Sequence, residues 1–125
     1  KHRIKTDIKF ARRLQAPRHA RPGLQLAKNY LPQGKDKEFY DAVFKTLQSY
    51  LANKFHLQAG TINLKTIQQV AKTNANAGPI FEKIKTVFDQ CEIVRYASVQ
   101  IDREKMQTIY RNVEEIIDFA ERNWR

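Results

Sequence analysis

The 125 residues are enough for one compact domain, and a hydrophobic content of 42% is enough to form its core. A single cysteine, Cys91, excludes an internal disulfide, and the widely separated His2, His19 and His56 exclude a zinc site of the usual spacing. The net charge of +10 is unevenly distributed, since residues 1–37 hold 11 of the 23 basic residues but two of the 13 acidic ones. The chain therefore has a strongly basic leading segment and a nearly neutral body.

The leading segment, residues 1–35, is predicted to be only partly helical. Pro17 and Pro22 interrupt any single helix, and Gly23 loosens the same stretch. We therefore expect two short helical pieces. The basic residues as far as position 21 are Lys1, Arg3, Lys5, Lys9, Arg12, Arg13, Arg18 and Arg21.

Apolar residues at helical spacing predict four helices in the body, at 37–55, 64–73, 79–95 and 103–123. Asp36, Asn63 and Asp102 are suited to cap three of them, and Pro79 suits the first turn of the other. Such helices need packing partners in water, and short links favour antiparallel neighbours. The predicted fold is all-α: a small bundle of about four main antiparallel helices over residues 36–125, plus a basic N-terminal helical segment.

The sequence contains no recognisable catalytic or cofactor motif. It lacks a Gly-rich phosphate loop, a Gly-x-Ser-x-Gly turn and a His-Glu-x-x-His pair. Cys91 falls on an apolar stripe, which predicts a buried structural thiol, and His56 lies where a helix end would place a capping residue. We therefore expect no catalytic residue, no metal ligand, no cofactor and a non-enzymatic domain.

The basic segment is open to three interpretations: a solvated tail, a nucleic-acid-binding segment or a juxtamembrane segment. Lys and Arg suit phosphate contacts, but aromatic residues that stack on bases are nearly absent from residues 1–37. A helix-turn-helix at 66–84 is disfavoured because Ala77, Gly78 and Pro79 stand where a DNA-reading helix needs basic or amide side chains. Positive residues concentrate next to the cytoplasmic end of membrane helices, which favours the juxtamembrane interpretation.

Several short motifs stand out, at residues 7–13, 27–31, 38–45, 50–55 and 89–97. Together they resemble the C-terminal cytoplasmic domain of the BatD family, the aerotolerance-associated membrane proteins. The motif residues that we expect to matter structurally are Phe39, Tyr40, Tyr50, Leu51, Cys91, Glu92, Arg95 and Tyr96.

The resemblance implies a non-enzymatic protein-interaction domain of a single-pass membrane protein, at the cytoplasmic side of the bacterial inner membrane. It implies coupling of extracytoplasmic domains to a complex of a MoxR-type AAA+ ATPase and von Willebrand A-domain membrane proteins, in stress or oxygen tolerance. The basic residues up to Arg21 would then lie near an anionic membrane surface. The alternative is a small basic helical domain that binds nucleic acid.

Overall fold

Five α-helices account for nearly all of the part of the chain that the structure, a computed structural model, describes: residues 8–72, 77–96 and 102–124, with the side chains of residues 8–17, 71 and 77 outside that description. The helices are α1 (Ile8–Tyr30), α2 (Asp36–Phe55), α3 (Leu64–Lys72), α4 (Ala77–Tyr96) and α5 (Arg103–Asn123), and a short 3-10 helix spans Ala59–Thr61. The predicted all-α fold is confirmed, and the four predicted body helices agree with α2 to α5 to within two residues at each end.

The prediction of two short pieces in the leading segment is wrong, because α1 is one helix that continues through both prolines. An interior proline costs a helix about 3 kcal/mol, since it removes a hydrogen bond and crowds the preceding turn. Here α1 packs along α2, with Ala20 and Ala27 buried in the shared core. Pro22 itself is exposed. Tertiary packing on one face therefore offsets the local cost.

Two of the three predicted helix caps are confirmed. The Asn63 side chain accepts a hydrogen bond from the Thr66 amide at 3.0 Å, and the Thr66 hydroxyl accepts one from the Asn63 amide at 3.0 Å. Asp102 accepts from the Lys105 amide at 2.8 Å. The third prediction is off by one residue, because α2 has Lys35 at its N-cap and begins at Asp36.

Helix α4 runs antiparallel to both α2 and α5, whereas α2 and α5 run parallel to each other, so that four helix termini meet at one end. Near this end the Cys91 thiol on α4 lies 3.6 Å from the Tyr40 carbonyl on α2. Arg103, the first residue of α5, donates to the Pro32 carbonyl just after α1 at 3.1 Å. The end at which α1 and α4 finish and α2 and α5 begin is called the groove end below. It holds the candidate sites.

A buried ion pair joins α2 and α5 at the opposite end, and the sequence patterns did not predict it. The Lys54 ammonium lies 2.9 Å from the Glu121 carboxylate, with the Lys54 side chain only 2% exposed. The Tyr50 hydroxyl donates to the same carboxylate at 2.6 Å. Burial, followed by the Glu121 contact, raises the pKa of Tyr50 well above its ordinary value. This group therefore ties the two helices through one shared oxygen.

Candidate functional site

A groove at the groove end lies between the end of α1 and the beginning of α5. Its volume is about 610 Å³, within the roughly 300–1,000 Å³ of typical ligand sites. We call it the cationic groove. It is lined by Gln25, Lys28, Asn29, Leu31, Pro32, Gln33, Arg103 and Gln107.

Hydrogen bonds fix the shape of the cationic groove. The Gln25 side chain donates to the Asn29 side chain at 3.0 Å, and the Gln33 side chain donates to the Asn29 carbonyl at 2.9 Å. The Arg103 bond to the Pro32 carbonyl closes the groove across the two helices. Because this bond engages one guanidinium nitrogen of a group with five N–H donors, Arg103 retains donors for a ligand.

The lining combines two cations with four carboxamides, and it includes no Asp, Glu or His. Among the described residues, no carboxylate forms an ion pair with Lys28 or Arg103. Carboxamides both donate and accept hydrogen bonds, whereas Lys and Arg only donate. The groove is therefore suited to a polar anion, and it holds no side chain that could serve as a general base.

Exposed cations extend from the groove along both helices. Arg18 and Arg21 are exposed on α1, at positions that share a helix face with Gln25 and Lys28. On α5, Arg111 is exposed two turns after Arg103. These exposed cations lie on the two helices that flank the groove, and α5 also carries exposed carboxylates at Glu104 and Glu114.

A second cavity, of about 260 Å³, opens at the same end between α2 and α4. We call it the aromatic cavity. The Arg95 guanidinium lies over the Phe44 ring at 4.8 Å from its centroid and 5.7 Å from that of Tyr96, whose side chain is 76% exposed. The lining residues are Phe44, Ile62, Asn63, Leu64, Phe88, Asp89, Glu92, Arg95 and Tyr96.

The structure divides the eight motif residues of the sequence analysis into two groups. Five of them are fully or almost fully buried in the core: Phe39, Tyr40, Tyr50, Leu51 and Cys91. The other three, Glu92, Arg95 and Tyr96, come together at the aromatic cavity. Burial raises the pKa of Cys91 to about 12, so its thiol is protonated and unreactive at neutral pH.

The structure describes the side chains of only some of the predicted basic residues. Lys1, Arg3 and Lys5 lie outside the described residues, as do the side chains of Lys9, Arg12 and Arg13. Arg18 and Arg21 are exposed on α1. Sequence reasoning missed the groove residues Lys28, Arg103 and Gln107, because nothing in the sequence indicates that α5 begins beside the end of α1.

His56 lies at the end of α2 in the left-handed conformation, with φ of 59°, and its amide donates to the Ala52 carbonyl. This is the capping position that the sequence predicted. Among the described residues, no group of three His, Cys, Asp or Glu side chains is arranged to hold a metal ion.

Comparison with known proteins assigns the chain to a different protein family from the one that its motifs suggested. The family model described as the HEPN domain matches residues 37–123, which is more than half of the chain. No curated protein and no solved structure is significantly similar. The match covers α2 to α5 completely except for the first residue of α2, and both cavities draw residues from it.

The HEPN match overturns the resemblance to BatD, and with it the expected role in aerotolerance and the expected place in a membrane-anchored protein. None of the helices that the structure describes is long and apolar enough to cross a bilayer. Five of the eight motif residues named above are core residues, which serve packing in any helical bundle. The expected MoxR-type and von Willebrand A-domain partners, and the contact with an anionic membrane surface, are tested by none of these findings.

Proposed function

Since the chain belongs to the HEPN domain family, we propose that it binds single-stranded RNA through the cationic groove. HEPN domains are often RNase-type enzymes or antitoxin modules, so a basic helical domain that binds nucleic acid fits the family better than a BatD-type interaction domain. The observation that carries the proposal is a groove with two cations, four carboxamides and no carboxylate.

The chemistry of the groove favours RNA over other polyanions. Lys28 and Arg103 can contact phosphate oxygens, while the carboxamides can both donate to and accept from ribose 2′-hydroxyls and base edges. Base edges are accessible in a single strand and largely inaccessible in an A-form duplex, so the carboxamides suit a single strand better. Arg18, Arg21 and Arg111 would contact phosphates on either side of it.

The domain is proposed to bind RNA without cleaving it. Cleavage of RNA by the protein requires a group that takes a proton from the attacking oxygen, usually His or a carboxylate. None lines the cationic groove, and His19 and His56 lie elsewhere on the described part of the chain. We therefore expect bound RNA to be recovered intact.

The test measures fluorescence anisotropy with a labelled ten-nucleotide uridine RNA. The double variant Lys28→Gln/Arg103→Gln should bind at least about tenfold more weakly, because hydrogen bonds to charged groups contribute roughly 1.5–3 kcal/mol each. The slope of log affinity against log salt should become about 1.4 shallower, because each phosphate of a single strand that a cation neutralises contributes about 0.7 to that slope.

The matched control is Lys65→Gln/Lys72→Gln, which removes the same charge from exposed positions on α3. If both double variants weaken RNA binding equally, the affinity depends only on net charge, and the cationic groove is not the binding site. A deoxythymidine decamer and an RNA duplex serve as competitors, and tighter binding of either would refute the preference for single-stranded RNA. Shortened RNA on a denaturing gel would contradict binding without cleavage.

A further inference from the structure

The aromatic cavity has the composition of a recognition site for one planar ring. Its wall contains the rings of Phe44 and Phe88, with centroids 5.5 Å apart. The Arg95 guanidinium covers Phe44, and the Tyr96 ring stands exposed at the rim. Aromatic faces and guanidinium planes are the surfaces on which unstacked RNA bases stack.

Two carboxylates give the cavity a polarity opposite to that of the cationic groove. Asp89 and Glu92 lie one turn apart on α4, both on the lining. Asp89 has only a distant ion pair with Lys85, at 3.9 Å, and no described cation forms an ion pair with Glu92. The two carboxylates outnumber the one cation on the lining, Arg95, and because carboxylates repel phosphates, the cavity suits the base of a nucleotide better than its phosphate.

From this arrangement we infer that the aromatic cavity binds a guanine base of the RNA, an inference that rests on the proposed function. The Watson–Crick edge of guanine carries an N–H next to an amino group, so it can donate two parallel hydrogen bonds to one carboxylate. Adenine and cytosine place an acceptor nitrogen beside their amino group, and uracil has one N–H between two carbonyls. A carboxylate therefore selects guanine among the four bases, and stacking on Tyr96 holds the ring.

The aromatic cavity and the cationic groove lie at the same end of the bundle but between different pairs of helices. Tyr96 ends α4 and Arg103 begins α5, seven positions further along the chain. Their Cα atoms are thus at most about 25 Å apart. For one decamer to fill both sites, its strand must pass over the groove end from the α1–α5 pair to the α2–α4 pair.

The experiment compares four uridine-rich RNA decamers that carry guanine, adenine, cytosine or uridine at one central position. The wild-type protein should bind the guanine decamer about 5- to 100-fold more tightly than the others. Glu92→Gln should reduce this ratio to a few-fold or less, and Asp89→Asn should reduce it if that carboxylate is the partner. Tyr96→Leu should weaken binding of the guanine decamer by about 5-fold or more through loss of stacking.

Two controls separate recognition from charge and from folding. Glu104→Gln removes the same charge from an exposed position at the start of α5 and should leave the guanine ratio unchanged. Ile93→Ala changes a side chain that is 46% exposed on α4 but does not line the cavity. It should match wild type.

Three outcomes decide the matter. Equal binding of all four decamers by the wild-type protein would overturn the guanine site and leave the proposed function standing. A guanine ratio that survives in both Glu92→Gln and Asp89→Asn would also overturn it. Failure of every decamer to bind would refute the proposed function, and the guanine site with it.

Discussion

Gly23 lies where α1 packs closely against α2. A Cβ added there would overlap the Thr46 hydroxyl and lie 3.1 Å from the Thr46 Cβ and 3.3 Å from its methyl group. Rotation of the Thr46 side chain cannot relieve all three contacts, because both branches and the Cβ lie close. The glycine that suggested a loose segment in the sequence therefore lies at a close contact between two helices.

We predict that Gly23→Ala lowers the free energy of unfolding by about 1–3 kcal/mol, as overpacking of a core does. Urea denaturation measures it. Gly78→Ala is the matched control, since no atom lies within 4 Å of an added Cβ at that helical position. It should be neutral or stabilising by up to about 1 kcal/mol. Adding Thr46→Ala to Gly23→Ala should recover part of the loss, and no recovery would contradict the contact.

Between elements, the Lys54–Glu121 pair is the polar link from α2 to α5. Breaking a buried pair by removing one partner typically costs about 3–5 kcal/mol, because the remaining charge is buried alone. We expect about 3 kcal/mol for Glu121→Ala, at the low end of that range, since the Glu121 side chain is 26% exposed. Chemical denaturation at neutral pH gives this value.

The double variant Lys54→Met/Glu121→Leu tests whether Glu121→Ala destabilises the protein by leaving the Lys54 charge unpaired or by removing packing contacts. Replacing both charges with apolar side chains of similar size is often close to neutral, so most of the stability should return. The Tyr50 hydroxyl keeps the Ile117 carbonyl as a partner at 3.3 Å. A double variant that is as unstable as Glu121→Ala would show that the ion pair is not the cause.

At this scale the sequence predicts most of the fold, and its failures have physical causes. Helices α2 to α5 follow from apolar spacing and caps, since each buries one face. The continuous α1 could not be predicted, because local propensity counts the cost of Pro17 and Pro22 but not the α2 surface that offsets it. Lys54 was missed for a similar reason, as its partner lies 67 positions away.

Across the whole molecule, the amino-acid sequence gives the amount of positive charge but not where the cationic side chains lie on the folded surface. The cationic groove exists because the bundle sets Arg103 beside Pro32, a contact between distant parts of the sequence. The aromatic cavity similarly combines Phe44 on α2 with Arg95 on α4. Motif similarity failed because five of the eight chosen residues serve the core. Residues that pack a bundle identify a fold class, whereas residues at its grooves identify a function.

Stability of the whole domain should fall in alkaline solution. Burial raises the pKa of Cys91 from 9.0 to about 12, so above pH 9 the unfolded chain loses a proton that the folded chain keeps. The associated stability is complete below pH 9 and is lost as pH rises toward 12, at up to about 1.4 kcal/mol per pH unit. Burial also raises the pKa values of Tyr40 and Tyr50, which steepens the loss above pH 10.

Urea denaturation from about pH 7 to about pH 10 measures this loss. Cys91→Val, which keeps an apolar side chain of similar size, should show a flatter dependence than the wild-type protein above pH 9, the ordinary pKa of the thiol. Identical slopes in the two proteins would contradict a buried thiol that stays protonated in the folded state.

The packing of α1 on α2 has a consequence for how Arg18, Arg21 and Lys28 would meet a ligand. A disordered basic tail loses conformational entropy when it binds, and that loss weakens its affinity. From Arg18 onward α1 is already ordered when the domain folds, so its cations are held at fixed helical spacing before any ligand arrives. Such a preorganised row of charges should associate with little change in helicity, and its heat capacity change on binding should be small.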